Sequence, residues 1–299
     1  MAKYIKVFQT HTEYQSFMST QDFLLPNVSH CIDNDDVHYN PIHDFSNDYL
    51  TFTALEDNET FTFKIDSSIG GTYVSDVSYS LDNGTTWTTT NVTSGDTDLY
   101  ITTPSVNAGS KVLWKGNAEV YGKSGDNCVF SSNDKNFNVE GNIMSMLYGD
   151  DFMGKNDLTD KNTCFAWFFS RCELLVNAKN LILPATTLAN GCYLGMFSNC
   201  TSLTSAPNLP ATTLAIGCYS GMFSNCTSLT SAPNLPATTL ANNCYGGMFG
   251  ESGLTQEANI PDELVPLSST YCSTMYCSCP IATQNGKYDS RAYECPGPL

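Results

Sequence analysis

Two rhythms of apolar and polar residues divide the chain. Between residues 49 and 140 apolar positions alternate with polar ones over short runs: LTFTAL, TFTFKI, VSDVSYSL, TWTTT, LYITT and KVLWKG. Period-two alternation in β-branched and aromatic residues predicts strands with one buried face. Turn residues separate the runs, and Asn83-Gly84 is a pair favoured in two-residue hairpins. The spacing predicts a small β-sandwich over 49–140.

From about residue 141 the rhythm lengthens. Pro184, Pro210 and Pro236 fall 26 residues apart, as do Cys192, Cys218 and Cys244, and Met196, Met222 and Met248. SNCTSLTSAPNLPATTLA, residues 198–215, recurs unchanged at 224–241. Upstream, WFFSRCELLVNAKNLILP fits the same frame with a two-residue insertion, and downstream GLTQEANIP fits it with substitutions. A period of this length predicts a solenoid over 141–262, whose coils bury a continuous core by stacking. Within a coil, SLTSAP predicts a short strand. Leu188, Cys192 with Tyr193, and Met196 with Phe197 form an apolar stripe that predicts a short helical return. Stacking would place the phased cysteines in columns inside the coil, where a thiol behaves as a small hydrophobe. Residues 263–299 leave the frame and read as a cap. The fold class is thus mostly β with α/β repeats: an N-terminal segment, a β-sandwich, then a solenoid.

Residues 1–48 mix aromatics with acids and hold all four histidines. HTEYQSFMS predicts a short helix, and LLPNVSHCIDNDDVHYNP turns and short strands punctuated by Pro26 and Pro41.

Charge narrows the partners. The 299 residues carry 30 acidic and 13 basic side chains, a formal charge of −17, which repels phosphate backbones and excludes nucleic acid as an expected partner. No export signal is read at the N-terminus and no run is long and apolar enough to span a membrane. Only 14% of residues are charged, and residues 174–250 contain Lys179 alone. Neutral rungs can be copied without building columns of like charge.

Chemistry is sparse. SLDNGTTW, residues 80–87, fits the S-x-D-x-G-x-T-W hairpin known as the Asp box, of which sialidases carry several. Here it occurs once, and Arg171 and Arg291 are the only arginines, too few for a cluster gripping a substrate carboxylate. It reads as a folding device, in which Ser and Asp side chains bond the turn and Trp packs beneath. His30, Cys31, Asp33, Asp35, Asp36, His38 and His43 match no compact zinc or EF-hand spacing; the alternative is a polar loop touching a partner. Cys272, Cys277, Cys279 and Cys295 lack paired C-x2-C knuckles and are read as capping thiols, disulfides or zinc ligands. No catalytic residue, metal or cofactor is assigned, and no phosphate or dinucleotide loop is present. Positions that vary between otherwise identical coils are the candidate ligand-binding points: Asn190, Ile216 and Asn242, and Leu194, Ser220 and Gly246.

Three blocks in order carry a resemblance. Coils of the type NCTSLTSAPNLPATTLANGCYSGMF resemble the BspA-like leucine-rich repeats of gut-bacterial surface proteins and their phages. FNVEGNIMSMLYGDDF, residues 137–152, is similar to the lead-in preceding such arrays, and YSLDNGTTWTTTNVTSG with VLWKGNAEVYG to the β-domain often found before it. LPNVSHCIDNDDVHYNP is similar to a leader on virion proteins of tailed phages of gut Bacteroidales, including crAss-like phages. The resemblance implies a non-enzymatic virion surface protein: a head fibre, capsid decoration or tail-attached protein. It would dock onto capsid or tail proteins through Pro26, Asn27, His38, Tyr39, Asn40 and Pro41, and display the repeats toward bacterial-surface or mucosal glycans or proteins. A homo-oligomer, by analogy a trimer, is expected. A bacterial BspA-like adhesin is the alternative, and a divergent sialidase-like hydrolase a further one.

Overall fold

The computed structural model describes residues 28–33, 36–41, 48–65, 75–92, 99–119, 121, 129–256, 258–259 and 275. The chain is mostly β and separates into two compact units, Met1–Asp44 and Phe45–Leu299. In the first, β1 (Val28–Asp33) and β2 (Asp36–Pro41) pair antiparallel, with His30 opposite Tyr39 and Cys31 opposite His38. The helix expected over HTEYQSFMS lies outside the described residues, as does the cap expected over 263–299 apart from Met275.

The second unit opens with the alternating strands. They are β3 (Leu50–Ala54), β4 (Phe61–Ile65), β5 (Ser75–Ser80), β6 (Thr88–Val92), β7 (Leu99–Thr102) and β8 (Lys111–Gly116), followed by β9 (Phe130–Ser132) and β10 (Phe137–Asn142). One sheet runs β10-β3-β8-β5-β6 and a second β7-β4-β9, each antiparallel throughout this part. Phe61 and Phe63 of β4 are fully buried while Thr62 and Lys64 between them are partly exposed, as alternation requires. Their rings meet those of the other sheet: Phe61 lies 5.3 Å from Phe52, and Phe63 6.2 Å from Trp114. Phe130 sits among them, 4.6 Å from Phe52 and 5.2 Å from Trp114. Aromatic pairs of this geometry add about 0.5–1.5 kcal/mol each beyond area burial.

The expected two-residue hairpin is longer. Tyr79 pairs with Thr88, so residues 81–87 form the connection, with Asn83 (φ 58°) and Gly84 (φ 80°) left-handed within it. Asp82 holds the loop open by accepting from Thr86 N (2.8 Å) and Thr86 Oγ1 (2.7 Å), which sets it beyond the tight turn.

After β10 come a one-turn helix, α1 (Ser145–Tyr148), and a 3-10 turn, Gly149–Asp151. Then β11 (Leu175–Ile182) pairs parallel to β10, extending the first sheet, and Asn177 bridges onward to Ser205 of the next coil. The strand expected in every coil is regular only in β11. Pro207 and Pro233 stand where β11 has Lys179, and proline has no N–H to donate to a ladder.

The helical return is replaced by a chain of overlapping turns. Even-numbered amides bond three residues back: Cys192 N to Ala189 O (3.3 Å), Leu194 N to Gly191 O (3.0 Å), Met196 N to Tyr193 O (3.2 Å). Odd-numbered amides bond across to the next coil: Gly191 N to Ile216 O (2.9 Å), Tyr193 N to Cys218 O (3.1 Å), Gly195 N to Ser220 O (2.8 Å), Phe197 N to Met222 O (2.9 Å). Every fourth residue is left-handed: Gly191, Gly195 and Asn199 at φ 58–61° in one coil, with Thr163, Trp167 and Arg171 in the preceding one. Alternate turns thus have positive φ at their third residue, as type II turns require. A helix would leave no amide free to join the coils.

Identical side chains therefore stack. Phe169, Phe197, Phe223 and Phe249 follow at 5.3, 5.5 and 5.7 Å, and Phe165, Tyr193, Tyr219 and Tyr245 at 5.9, 5.9 and 6.2 Å. The sheets supply the first member of each column: Phe130 stacks on Phe169 at 6.0 Å and Tyr121 on Phe165 at 6.5 Å. Tyr121 N also donates to Cys164 O (3.0 Å), and Cys172 Sγ to Phe130 O (2.8 Å). The two-sheet part closes the open end of the stack with its own aromatics, and one core runs through both. Among the described residues no helix is long and apolar enough to cross a membrane.

Candidate binding surface

Corresponding exposed residues of successive rungs stand one above another. Asn190, Ile216 and Asn242 form such a column on the turn side, all exposed, with Ile216 at 54%. Asn162 heads it: Asn190 N donates to Asn162 Oδ1 (3.1 Å), and Ile216 N to Asn190 Oδ1 (3.2 Å). The sequence frame missed Asn162 because its spacing to Asn190 is 28, through the two-residue insertion.

Leu194, Ser220 and Gly246 are less accessible. The first two are half-buried and Gly246 is buried. A Cβ on Gly246 would come within 1.8 Å of Asn243 Oδ1, and Asn243 stands where the two previous coils have Gly191 and Gly217. Ser220 Oγ donates to Gly246 O (2.9 Å) and accepts from Asn243 Nδ2 (3.4 Å). The variation at 246 is thus coupled to the variation at 243 by packing.

Pro26 and Asn27 lie outside the described residues. His38, Tyr39, Asn40 and Pro41 all lie on β2, in register with Cys31, His30, Ser29 and Val28 of β1.

The opposite, strand side of the rungs carries columns that variation between coils could not reveal, because their residues are the same in each copy. Thr204, Thr230 and Thr255 are exposed, and Thr204 Oγ1 donates to Val176 O (3.0 Å) and Thr255 Oγ1 to Thr230 O (3.4 Å) of the preceding rung. Asn180, Asn208, Asn234 and Asn259 are exposed four residues further along each strand, and Asn259 Nδ2 donates to Asn234 Oδ1 (3.0 Å). The signal in the sequence was the even spacing of Thr204, Ala206 and Asn208, which puts them on one face.

Elsewhere the ionisable groups are tied down. Ser80 Oγ accepts from Gly84 N (2.9 Å) and donates to Asp82 Oδ1 (2.8 Å), and the Thr86 bonds hold the Asp82 carboxyl below its usual range. Trp87 packs edge-on to Tyr49 at 4.9 Å, with Lys115 Nζ 4.1 Å above its ring. Lys115 also pairs with Asp150 (2.8 Å), which accepts from Tyr49 Oη (2.7 Å); burial, then Asp150, pushes the Tyr49 phenol up to about 12. This cluster clamps the hairpin onto the segment after α1.

The seven described cysteines in the stack are buried and unbonded to one another. Burial pushes the Cys164 and Cys218 thiols up to about 12, away from the thiolate a nucleophile needs. Cys200 Sγ donates to Phe169 O (3.0 Å) and Cys226 Sγ to Phe197 O (3.1 Å), stitching rungs together. Among the described residues no group of three or more His, Cys, Asp or Glu side chains is placed to hold a metal ion. What the surface offers is rows of neutral donors and acceptors at fixed pitch. Compared with protein-family models, curated proteins and solved structures, the chain matches none.

Proposed function

We propose that this is a non-enzymatic virion surface protein of a tailed phage, docked through residues 1–48 and displaying a β-sandwich and a leucine-rich-repeat solenoid for attachment. The observation that carries the reading is the run of coil-to-coil amide bonds, Gly191 to Ile216 through Phe197 to Met222, which makes a rigid, repetitive and uncharged surface. A stack of this kind is suited to binding along its length. The compact first unit, separate from the displayed one, supports a docking role for the leader, and the sequence resemblance supports placement as a head fibre, capsid decoration or tail-attached protein. On this reading the protein is assembled in the host cytoplasm, released by lysis, and partnered by capsid or tail proteins in a homo-oligomer, by analogy a trimer.

The test is mass spectrometry of purified Bacteroidales phage particles with this chain's stoichiometry counted. A fixed copy number per particle is expected. Absence from particles, with peptides in the host envelope fraction, would replace the virion with a bacterial BspA-like adhesin. Turnover of fluorogenic sialosides would overturn the non-enzymatic reading in favour of the sialidase-like one.

A further inference from the structure

We infer that the strand side of the stack binds a linear, uncharged polysaccharide running along the stack axis, with one sugar per rung. The inference rests on the display reading above and names the ligand class for it. Three features of that face carry it.

The first is charge. In a chain of net −17, residues 180–250 contain no charged side chain, so the rungs of Thr204 and Thr230 are neutral, and a carboxylate enters only at the last rung, where Glu257 falls between Thr255 and Asn259. The face of these rungs offers a polyelectrolyte no countercharge, and it does not repel a neutral polymer.

The second is the division of hydrogen-bonding roles. Thr204 and Thr255 commit their hydroxyl protons to the preceding rung's carbonyls, so the oxygen lone pairs face out as acceptors. On the far side of the half-buried Ala206 and Ala232, Asn234 Oδ1 accepts from Asn259 Nδ2, which engages that oxygen and leaves the Asn234 amide N–H groups as donors. Threonine hydroxyl acceptors thus lie on one side of the alanines and an asparagine donor on the other. A sugar hydroxyl is both, so a pyranose can donate to one side and accept from the other.

The third is pitch. Asn177 and Ser205 are bridged as neighbouring parallel strands, which lie about 4.8 Å apart. That is close to the length one pyranose adds to an extended chain. Successive sugars then meet successive rungs in register, and individually weak contacts add along the polymer.

Native-gel affinity electrophoresis of the full-length protein tests this, with soluble linear neutral glucan, xylan or mannan cast in the gel and polygalacturonate as the anionic comparison. At least one neutral polymer should retard migration, undiminished by high salt, while polygalacturonate should not. Asn208→Ala with Asn234→Ala should weaken retardation about tenfold, the loss of roughly 1.4 kcal/mol, with an unchanged thermal midpoint. Thr213→Ala with Thr239→Ala, on a different exposed column, should leave it intact. No retardation by any neutral polymer, retardation by polygalacturonate alone, or full retardation of the asparagine variant would each overturn the inference. Recovery from virions without glycan retardation sinks the ligand and keeps the display reading. Glycan retardation with absence from virions does the reverse.

Discussion

The two halves of the large unit pack the same kind of ring in opposite ways. Between the sheets, aromatics meet edge-on: Phe52 against Phe61 at 76°, Phe52 against Phe130 at 69°, Trp114 against Phe130 at 75°. In the rungs they lie nearly parallel, Phe197 on Phe223 at 5° and Tyr193 on Tyr219 at 8°. In the first arrangement every side chain has its own set of neighbours, so each position must be specified separately. In the second each ring's neighbour is its own copy, and one specification serves all. This is why eighteen residues can recur unchanged in one half while the other shows no repeat.

Phe130 belongs to both arrangements, which makes it the sharpest place to break them. Phe130→Ala should destabilise by about 3–5 kcal/mol, and thermal unfolding followed by calorimetry should remain a single transition at a lower midpoint. Two separated transitions would mean that the halves do not share a core.

Within the stack, copies are equivalent only where their neighbours are. Gly195 and its copy Gly221 are both left-handed, but a Cβ on Gly195 would come within 2.4 Å of the Trp167 ring whereas one on Gly221 meets nothing within 4 Å. Gly195→Ala should therefore cost clearly more than the roughly 1–2 kcal/mol of left-handed alanine alone, and Gly221→Ala about that amount. Denaturant midpoints compare them, and equal losses would remove Trp167 as the cause. Gly217→Asn should be no milder than an alanine there, since Asn243 is accommodated beside Gly246 whereas the corresponding position 220 carries a Ser Cβ.

Deleting residues 201–226, one whole period, should give a folded protein with a thermal midpoint within a few degrees of the parent, because Thr227 then follows Cys200 as Thr201 did. A deletion half that length should unfold the stack. Failure of the whole-period deletion would show that rungs are not interchangeable.

A pH-dependent effect is expected in the sheets, since the rungs from 180 to 250 have no carboxylate to titrate. Glu59 is buried, with Oε2 accepting from Leu55 N (3.1 Å) and Oε1 without a partner. Burial above all, with Glu56 adding repulsion and Lys135 opposing it, raises its carboxyl from 4.5 to about 7. The folded state thus favours the protonated form, and stability present below about 4.5 is lost as pH rises through about 7. Glu59→Gln should match the parent in acid and exceed its thermal midpoint above neutrality. A variant that is less stable above neutrality would invert the assignment.

What could be read beforehand follows the same division. LTFTAL through KVLWKG announced six strands because alternation is a local signal. β9, three residues long, and β10, whose partners lie far away on both sides, gave no such signal. In the coils, apolar residues every four positions imitate a helix, since 4 is near 3.6. The distinguishing mark was Gly191, Gly195 and Asn199 at the intervening fourth positions, and Thr163, Trp167 and Arg171 hide that mark in the first coil. The closing role of Tyr121 and Phe130 depends on contacts with Phe165 and Phe169, tens of residues away, and no local pattern announces it. For the surface, variation between coils pointed to Asn190, Ile216 and Asn242, which form a column, but also to Gly246, which is covered. The threonine and asparagine columns give no such signal, because their residues do not vary between copies.

Neutral rungs have one more consequence. Between Lys179 and Lys287 the chain contains no lysine or arginine. Trypsin, whose cleft needs one of those two side chains, finds nothing to cut there whether the stack is folded or unravelled. In a fluid rich in that protease the array would outlast the lysine-bearing residues before it. The same property shapes any census by tryptic peptides: residues 180–287 emerge as one long fragment, and the copy number is read from the peptides on either side of it.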